Sequence, residues 1–334
     1  MKYNIKEIAL LAGVSKSTAS RVISGKGYAS PEVRQRVNEI VEQLQYRPNA
    51  VARAMVAKRT NSIGVIIFRE KQPIVSHPLY GKLIDSILMA AQQRGYSVFL
   101  KTDQEMSIQS TDYMLEQRVD GLILISRLQK NVIEHVKKFN VPYLMVNGST
   151  DDPEVVHLVS KDEIGGARAA AYLHSLGHRK FFILAGPQEH RSHNLRLQGF
   201  REELRRLNVE ESHIHVVPAM ESDFDQGYTL MAKHLSTFIG EAYSVLFTTN
   251  DMLALGAMKV MLQNAIRIPE QAAVMGFDDI DFAAAYSPSL TTVKVDTTRM
   301  GRDAVVLLDR LISRNQDMSK LYEYASEIII RQST

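Results

Sequence analysis

The chain has 334 residues, of which 45% are hydrophobic and 23% charged, a composition typical of a soluble globular protein with more than one domain. It contains no cysteine, which excludes disulfides, a thiolate nucleophile and a cysteine-ligated zinc site. No apolar run reaches the ~18 residues that a membrane span needs, and Glu7 interrupts any signal-peptide core, so we expect a cytoplasmic protein without a membrane partner.

The formal charge of +3 is unevenly distributed along the chain. Residues 1–60 hold eleven Lys and Arg against four acids, a formal charge of +7, which leaves −4 on the remaining residues. A basic N-terminal region on a mildly acidic body indicates that this region contacts a polyanion.

The first 48 residues have the pattern of three short helices. Gly13 suits the turn between the first two helices, and Ser15 stands where an N-cap begins the second. Ser30 and Pro31 are typical of the cap and first position of a third helix.

The outward face of the second helix is rich in hydroxyls. With Ala19, Val22 and Ile23 facing the core, the exposed side chains are those of Lys16, Ser17, Ser20 and Arg21. Such side chains at a helix N-terminus can bond to base edges and phosphates in the major groove of DNA, which indicates a helix-turn-helix. The alternative is a solvated face of a small helical bundle, where serines and an arginine are ordinary.

From residue 62, continuous apolar strands alternate with amphipathic helices. The predicted strands are SIGVIIF, YSVFLKT, GLILI, YLMVN, FFILAG, HIHVVP, SVLFTTN and AAVMGF, and the predicted helices cover about 79–94, 107–118, 129–139, 163–176, 194–207, 225–238 and 251–264. This alternation predicts buried parallel sheets in two successive doubly wound lobes. Ligands bind such sheets at the carboxyl ends of the strands, so we expect a site in a cleft between the lobes.

The segment IKEIALLAGVSKSTASRVISG resembles the N-terminus of the lactose/galactose repressor family, from which it departs by Ala19 in place of the usual Val. LQYRPNAVARAMVAKRTNSIGVI is similar to the linker of that family. The likeness continues through LAGP, RLQGF, TTNDMLALGAM, GFDD and SLTTVKVD, and so covers essentially the whole chain.

This resemblance implies a helix-turn-helix, three-helix headpiece over 1–48 and a hinge helix with linker over 49–61. It implies an α/β effector domain of two doubly wound lobes, like the periplasmic binding proteins. Lobe one would comprise 62–160 plus 292–321, and lobe two 161–291 plus 322–334. The chain would cross between the lobes three times, near residues 160, 292 and 322.

The resemblance also implies the DNA contacts, which are Lys16, Ser17, Thr18, Ser20, Arg21, Asn49 and Met55. Met55 matches the position of an apolar wedge, usually Leu, that enters the minor groove when two hinge helices meet on DNA. The alternative is that Met55 merely packs the two hinge helices together.

The candidate effector contacts lie at strand ends and at the start of the first long helix of lobe one. Arg196, Asn250 and Asp278 match family positions that hold effector hydroxyls, and Phe224 matches a position that often carries an aromatic ring against the ligand. His77 and Tyr80 could face the cleft. A guanidinium, a carboxamide and a carboxylate together suit the vicinal hydroxyls of a sugar. Asn250 could instead cap a helix, Phe224 could belong to the core, and we interpret Asp279 as structural.

No motif for catalysis or for a cofactor is present, so we predict no catalytic residue, no metal, no cofactor and no enzyme. GxGxxG after a strand, GxxxxGK[ST], GxSxG and HExxH are all absent. His174 and His178 are four residues apart, but we interpret them as part of a Leu-Gly-His turn that ends a helix rather than as metal ligands.

The sequence therefore predicts a DNA-binding transcriptional regulator, a repressor, that binds a near-palindromic operator of double-stranded DNA as a homodimer. A small effector, a sugar, would control it. Two alternatives remain: control by a phosphorylated carrier protein acting as partner, and, from another class, a sugar-binding transport protein, against which the headpiece argues.

Overall fold

A computed structural model of the chain describes residues 3–25, 27–46, 59–68, 77–103, 112, 114–116, 119–126, 130–148, 152–314 and 317–334. The chain forms two compact units, Met1–Ser62 and Ile63–Thr334. Within the described residues, no helix combines the length and the apolar character needed to cross a bilayer.

The first unit contains three helices, as the sequence predicted: α1 (Ile5–Leu11), α2 (Lys16–Ser24) and α3 (Pro31–Gln43). A capping box formed by Asn4 and Glu7 begins α1, and serine side chains cap α2 and α3. The helices bury a small core of Ile8, Ala12, Val22 and Val37.

The second unit is built from two six-stranded sheets. The strands are β1 (Ser62–Phe68), β2 (Ser97–Asp103), β3 (Gly121–Ile125), β4 (Tyr143–Val146), β5 (Val156–Ser160), β6 (Phe181–Ala185), β7 (Ile214–Pro218), β8 (Val245–Thr248), β9 (Ala273–Asp278), β10 (Thr291–Lys294), β11 (Leu321–Tyr324) and β12 (Glu327–Ile329). The first sheet has the order β11-β5-β4-β3-β1-β2, and the second has the order β12-β10-β9-β8-β6-β7. We call each sheet with its helices a lobe.

The helices of the second unit are α4 (Pro78–Gln93), α5 (Lys130–Lys138), α6 (Asp162–Ser175), α7 (Arg191–Arg206), α8 (Phe224–Gly240), α9 (Asp251–Gln263), α10 (Asp281–Ala285) and α11 (Thr297–Ile312). Helices α4 to α9 begin and end within a few residues of their predicted bounds, whereas α10 and α11 were not predicted. The predicted helix over 107–118 lies largely outside the described residues. The paired strands of the second sheet run parallel, except that β12 is antiparallel to β10. The prediction of two doubly wound α/β lobes is confirmed.

The chain changes sheets after β5, between β10 and β11, and between β11 and β12. The last two changes come a few residues later than predicted. Residues 292–294, which the sequence placed in lobe one, pair with β9 and β12 of the second sheet. The predicted last strand EYASEIIIRQS is divided between β11 in the first sheet and β12 in the second, because hydrogen-bond partners, which composition does not reveal, decide where each strand belongs.

Helices α6 and α7 pack with their backbones in direct contact. A Cβ atom on Gly166 of α6 would overlap the carbonyl oxygen of Arg196, and one on Gly199 of α7 would overlap the carbonyl oxygen of Glu163. Only glycine permits this approach, which brings the start of α6 against the side chain of Arg196.

Candidate functional site

The second helix of the first unit presents the predicted polar face. Lys16, Ser17, Ser20 and Arg21 are exposed, and Thr18 is half-buried, with its hydroxyl 2.8 Å from that of Ser15. Ala19 and Val22 are buried on the opposite face. The structure thus places the five predicted DNA contacts of this helix on or beside one surface.

Two backbone carbonyls, one within α2 and one beyond its end, hold the guanidinium of Arg21. Its Nε donates to the carbonyl of Ser17 at 3.3 Å and its Nη1 donates to the carbonyl of Tyr28 at 3.4 Å. These long hydrogen bonds keep the guanidinium at the surface while leaving it able to exchange them for phosphate or base acceptors. The other two predicted contacts, Asn49 and Met55, lie outside the described residues.

In the second unit, Arg196 is buried at the carboxyl ends of strands from both sheets. Its Nε donates to Asp162 Oδ1 at 2.9 Å, two residues beyond the end of β5. Its Nη1 donates to the carbonyl of Thr249 at 2.8 Å, just after β8, and lies 2.9 Å from Asp278 Oδ1 at the end of β9. The side chains of Arg196, Asp162 and Asp278 are 5%, 3% and 6% exposed.

The electrostatics of Arg196 are set by these two carboxylates. Burial alone would lower the pKa of Arg196, but Asp278 and Asp162 outweigh this effect and raise it, so the guanidinium is permanently charged. The ring of Phe277 lies under it, with its centroid 4.0 Å from Cζ.

Asp278 and Asp279 both have a left-handed backbone, with φ of 122° and 58°. Such a conformation costs free energy for residues other than glycine and needs support from its surroundings. Asp251 supplies the support: its carboxylate accepts from the amide of Ile280 at 2.9 Å and from Thr292 Oγ1 at 2.5 Å. Asp251 therefore fixes the turn that presents Asp278 to Arg196.

Burial, and after it the charge of Asp278, raises the pKa of Asp251 well above its ordinary value of 3.8. A carboxyl group whose folded-state pKa is raised contributes stability below its ordinary pKa and loses it as the pH rises through the raised value. As the pH rises from the ordinary pKa of Asp251 through its raised value, we expect Asp251→Asn to become more stable relative to the wild type. The gain should be about 1.4 kcal/mol for each unit by which the pKa is raised. Asparagine can keep both hydrogen bonds, since its amide donates to Thr292 and its carbonyl accepts from Ile280. Urea unfolding of both proteins from acid to neutral pH measures the difference.

The exposed acid Asp225, in the first turn of α8, provides the control. Asp225→Asn removes the same charge from an exposed position, so its free energy of unfolding should stay within about 0.5 kcal/mol of that of the wild type. If the free energies of unfolding of Asp251→Asn and of the wild type change with pH in the same way, Asp251 is not the group that titrates.

Asn250 caps α9, as the alternative interpretation held. Its Oδ1 accepts from the amide of Leu253 at 3.0 Å and its Nδ2 donates to the carbonyl of Ser222 at 2.7 Å. Phe224, the first residue of α8, is half-buried against the apolar core of the second lobe. An effector role for both residues stays a prediction.

His77 caps α4, where its Nδ1 accepts from the amide of Tyr80 at 3.4 Å, and the two rings lie 5.0 Å apart. Lys82, further along α4, donates to the carbonyl of Asp279 at 3.2 Å and pairs with Asp281 at 2.6 Å. The start of α4 therefore lies beside the turn that carries Asp278. Whether His77 and Tyr80 contact an effector stays a prediction.

The sequence analysis missed three polar residues at this site. Asp162 and Thr249 bind Arg196, and His193 Nδ1 lies 2.9 Å from Thr249 Oγ1. The rule that located Asp278, polar residues at the carboxyl ends of strands, would also have found Asp162 if it had been applied to β5.

The Leu-Gly-His segment and Asp279 both have structural roles. The helix α6 ends at Ser175 and Gly177 has a φ of 95°, so the Leu-Gly-His segment is the predicted turn. His178 Nδ1 lies 2.9 Å from Ser244 Oγ, and within the described ranges no three His, Asp or Glu side chains form a group that could hold a metal. Asp279 pairs with Arg331 at 2.6 Å, a structural contact.

The two units define a class of protein in which a helix-turn-helix unit precedes a two-sheet α/β domain of the periplasmic-binding type. The family model of bacterial regulatory proteins, lacI family, matches residues 4–49, and the model of a periplasmic binding protein-like domain matches residues 170–334. The regulator CelR of Thermobifida fusca is 30% identical over 98% of this chain and 97% of its own length. The repressor PurR of Vibrio vulnificus is 28% identical over 98% of both chains.

The chain belongs to the lacI family of bacterial regulatory proteins and is a DNA-binding transcriptional regulator. The predicted resemblance is thus confirmed. Among solved structures, the Lac repressor dimer bound to operator and the anti-inducer ONPF matches 100% of this chain and 99% of its own, with a TM-score of 0.87 at 26% identity. The CelR-cellobiose complex matches 99% and 100%, with a TM-score of 0.73 at 26% identity.

Proposed function

We propose that the protein is a repressor that binds a near-palindromic operator as a homodimer, under the control of a small sugar bound between its two lobes. The observation that carries the effector proposal is the buried Arg196 with Asp162 and Asp278, at strand ends of both sheets. Because the protein binds DNA, we place it in the cytoplasm.

The chemistry of this site favours a polyhydroxy ligand. The guanidinium of Arg196 offers N–H donors, while the carboxylates of Asp162 and Asp278 offer acceptors, so vicinal hydroxyls can be bonded from both sides. Asn250 and Phe224 would complete the site at its edge. The complex of CelR with cellobiose, in a chain that aligns over nearly its full length, supports a sugar as the effector.

The same residues adjoin the segments that connect the lobes. Asp162 follows the first crossing, where the amide of Lys161 donates to the carbonyl of Tyr324 at 3.0 Å, next to the third crossing. The carbonyl of Asp278 accepts from the amide of Val295 at 3.3 Å in the second crossing. An effector that binds one lobe arrangement better than the other would shift their balance, with a coupling of about 1–3 kcal/mol.

On the DNA side, we propose that Lys16, Ser17, Thr18, Ser20 and Arg21 enter the major groove. Asn49 and Met55 would act in the minor groove, with Met55 as the apolar wedge. The fit of the first unit to the lacI family model over residues 4–49 supports the assignment of the contacts on α2.

Arg21→Ala is expected to weaken binding of a specific operator by about 1–3 kcal/mol, because the exposed guanidinium would contact a base or phosphate in the complex. An operator can be obtained by selection from random DNA with the purified full chain. Its affinity for both proteins is then measured at one fixed salt concentration, with and without saccharides.

Arg36→Ala, an exposed arginine on α3, is the matched control and should cost much less. If Arg21→Ala binds the operator as tightly as the wild type does, Arg21 does not contact the DNA. An operator affinity that no saccharide alters would contradict control by a sugar while leaving the DNA-binding function in place.

A further inference from the structure

The formal charges of the ionic groups that bind one another around Arg196 do not sum to zero. One guanidinium lies between two carboxylates, those of Asp162 and Asp278, and all three side chains are at least nine-tenths buried. This trio carries a net charge of −1 in surroundings of low polarity, where charges interact strongly.

The pKa of a neighbouring group supports a negative potential at this place. Burial is the first cause that raises the pKa of Asp251, and the charges that raise it further are those of Asp278 and Asp279. These two charges make the potential at Asp251, on the Asp278 side of the trio, more negative.

Hydrogen-bond chemistry leads to the same conclusion. A hydroxyl group can donate to a carboxylate and accept from a guanidinium, so it can bind beside Arg196 and its two acidic partners. An ionised carboxylate or phosphate can only accept, so it would face the oxygens of Asp162 and Asp278 without a proton to share. The hydroxyl oxygen of Ser160, two residues before Asp162, is also buried and has no hydrogen-bond partner among the described residues. This hydroxyl adds a further uncharged polar group near Asp162.

We propose that Asp162 is a specificity-determining residue, which with Asp278 restricts the Arg196 end of the site to uncharged polyhydroxy effectors and excludes anionic ones such as uronates and sugar phosphates. The inference rests on the proposed function, since it assumes that the effector binds beside Arg196. It goes beyond that function by naming the charge of the ligand.

Matched pairs of neutral and anionic saccharides test the proposal with the full chain. The pairs are glucose with glucuronate, galactose with galacturonate, ribose with ribose 5-phosphate, and cellobiose with cellobionate. Thermal melting identifies which pair binds, and calorimetric titration gives the two dissociation constants. Inorganic phosphate alone controls for anions that bind the basic first unit.

The neutral member of the binding pair should bind at least about tenfold more tightly than its anionic counterpart. Asp162→Asn removes one carboxylate charge while preserving shape, and should reduce this preference by about tenfold. Glu163→Gln, an exposed neighbour on the same helix, removes the same charge and should leave the preference unchanged.

Equal or tighter binding of the anionic member to the wild type would overturn the proposal and leave sugar control standing. The same holds if Asp162→Asn folds and keeps the full preference of the wild type. If no member of any pair changes the melting temperature or the operator affinity, sugar control itself fails, and this inference fails with it. Because the wild-type comparison needs no variant, a failure of Asp162→Asn to fold does not affect the decision.

Discussion

Arg196→Ala is expected to lower the free energy of unfolding of the second unit by about 3–5 kcal/mol at neutral pH. The substitution leaves the carboxylates of Asp162 and Asp278 buried without their shared cation, and it removes the donor to the carbonyl of Thr249. Urea unfolding followed by circular dichroism measures the loss. From the sequence alone, only the loss of the effector response would be expected for this substitution.

The loss should be specific to this buried position. Arg267→Ala, at an exposed arginine of the same unit, is the control and should change stability by no more than about 0.5 kcal/mol. Wild-type stability of Arg196→Ala at neutral pH would mean that the buried ion pairs contribute nothing to the fold.

Gly199→Ala should destabilise the second unit by about 3 kcal/mol, the upper end of the usual cost of overpacking. The added methyl group would overlap the carbonyl oxygen of Glu163, and a backbone atom cannot turn aside as a side chain can. Gly166→Ala would meet the carbonyl oxygen of Arg196 in the same way. Either change forces α6 and α7 apart, so the effector response should also weaken because Asp162 and Arg196 separate.

Gly240→Ala is the matched control for both variants. It lies at the end of α8, has no neighbour within 4 Å of the added Cβ, and does not have a positive φ. Alanine there should be neutral or stabilise the helix by up to about 1 kcal/mol. If Gly199→Ala unfolds at the same urea concentration as Gly240→Ala, the close backbone contact between α6 and α7 is not required.

The sequence by itself predicted the elements that depend on local pattern. The three helices of the first unit follow from the caps at Ser15 and Ser30 and from apolar residues at helical spacing, and all three are present. The outward face of α2 follows from the same spacing. Alternating strands and helices also predicted two lobes, because a buried parallel strand needs an apolar run whatever its partner is. The family resemblance was likewise carried by short motifs that are visible in one dimension.

Only the tertiary structure decided how the buried polar groups are paired. Asp162, Arg196 and Asp278 are far apart in the sequence, and no local pattern shows that one guanidinium serves both carboxylates. The same is true of Asp251, whose role depends on the amide of Ile280 and the hydroxyl of Thr292. The division of residues 321–329 between two sheets depends likewise on partners from distant strands. Hydrogen bonds and ion pairs form between whichever groups the packed backbone brings together, so their partners become known only when the elements are assembled.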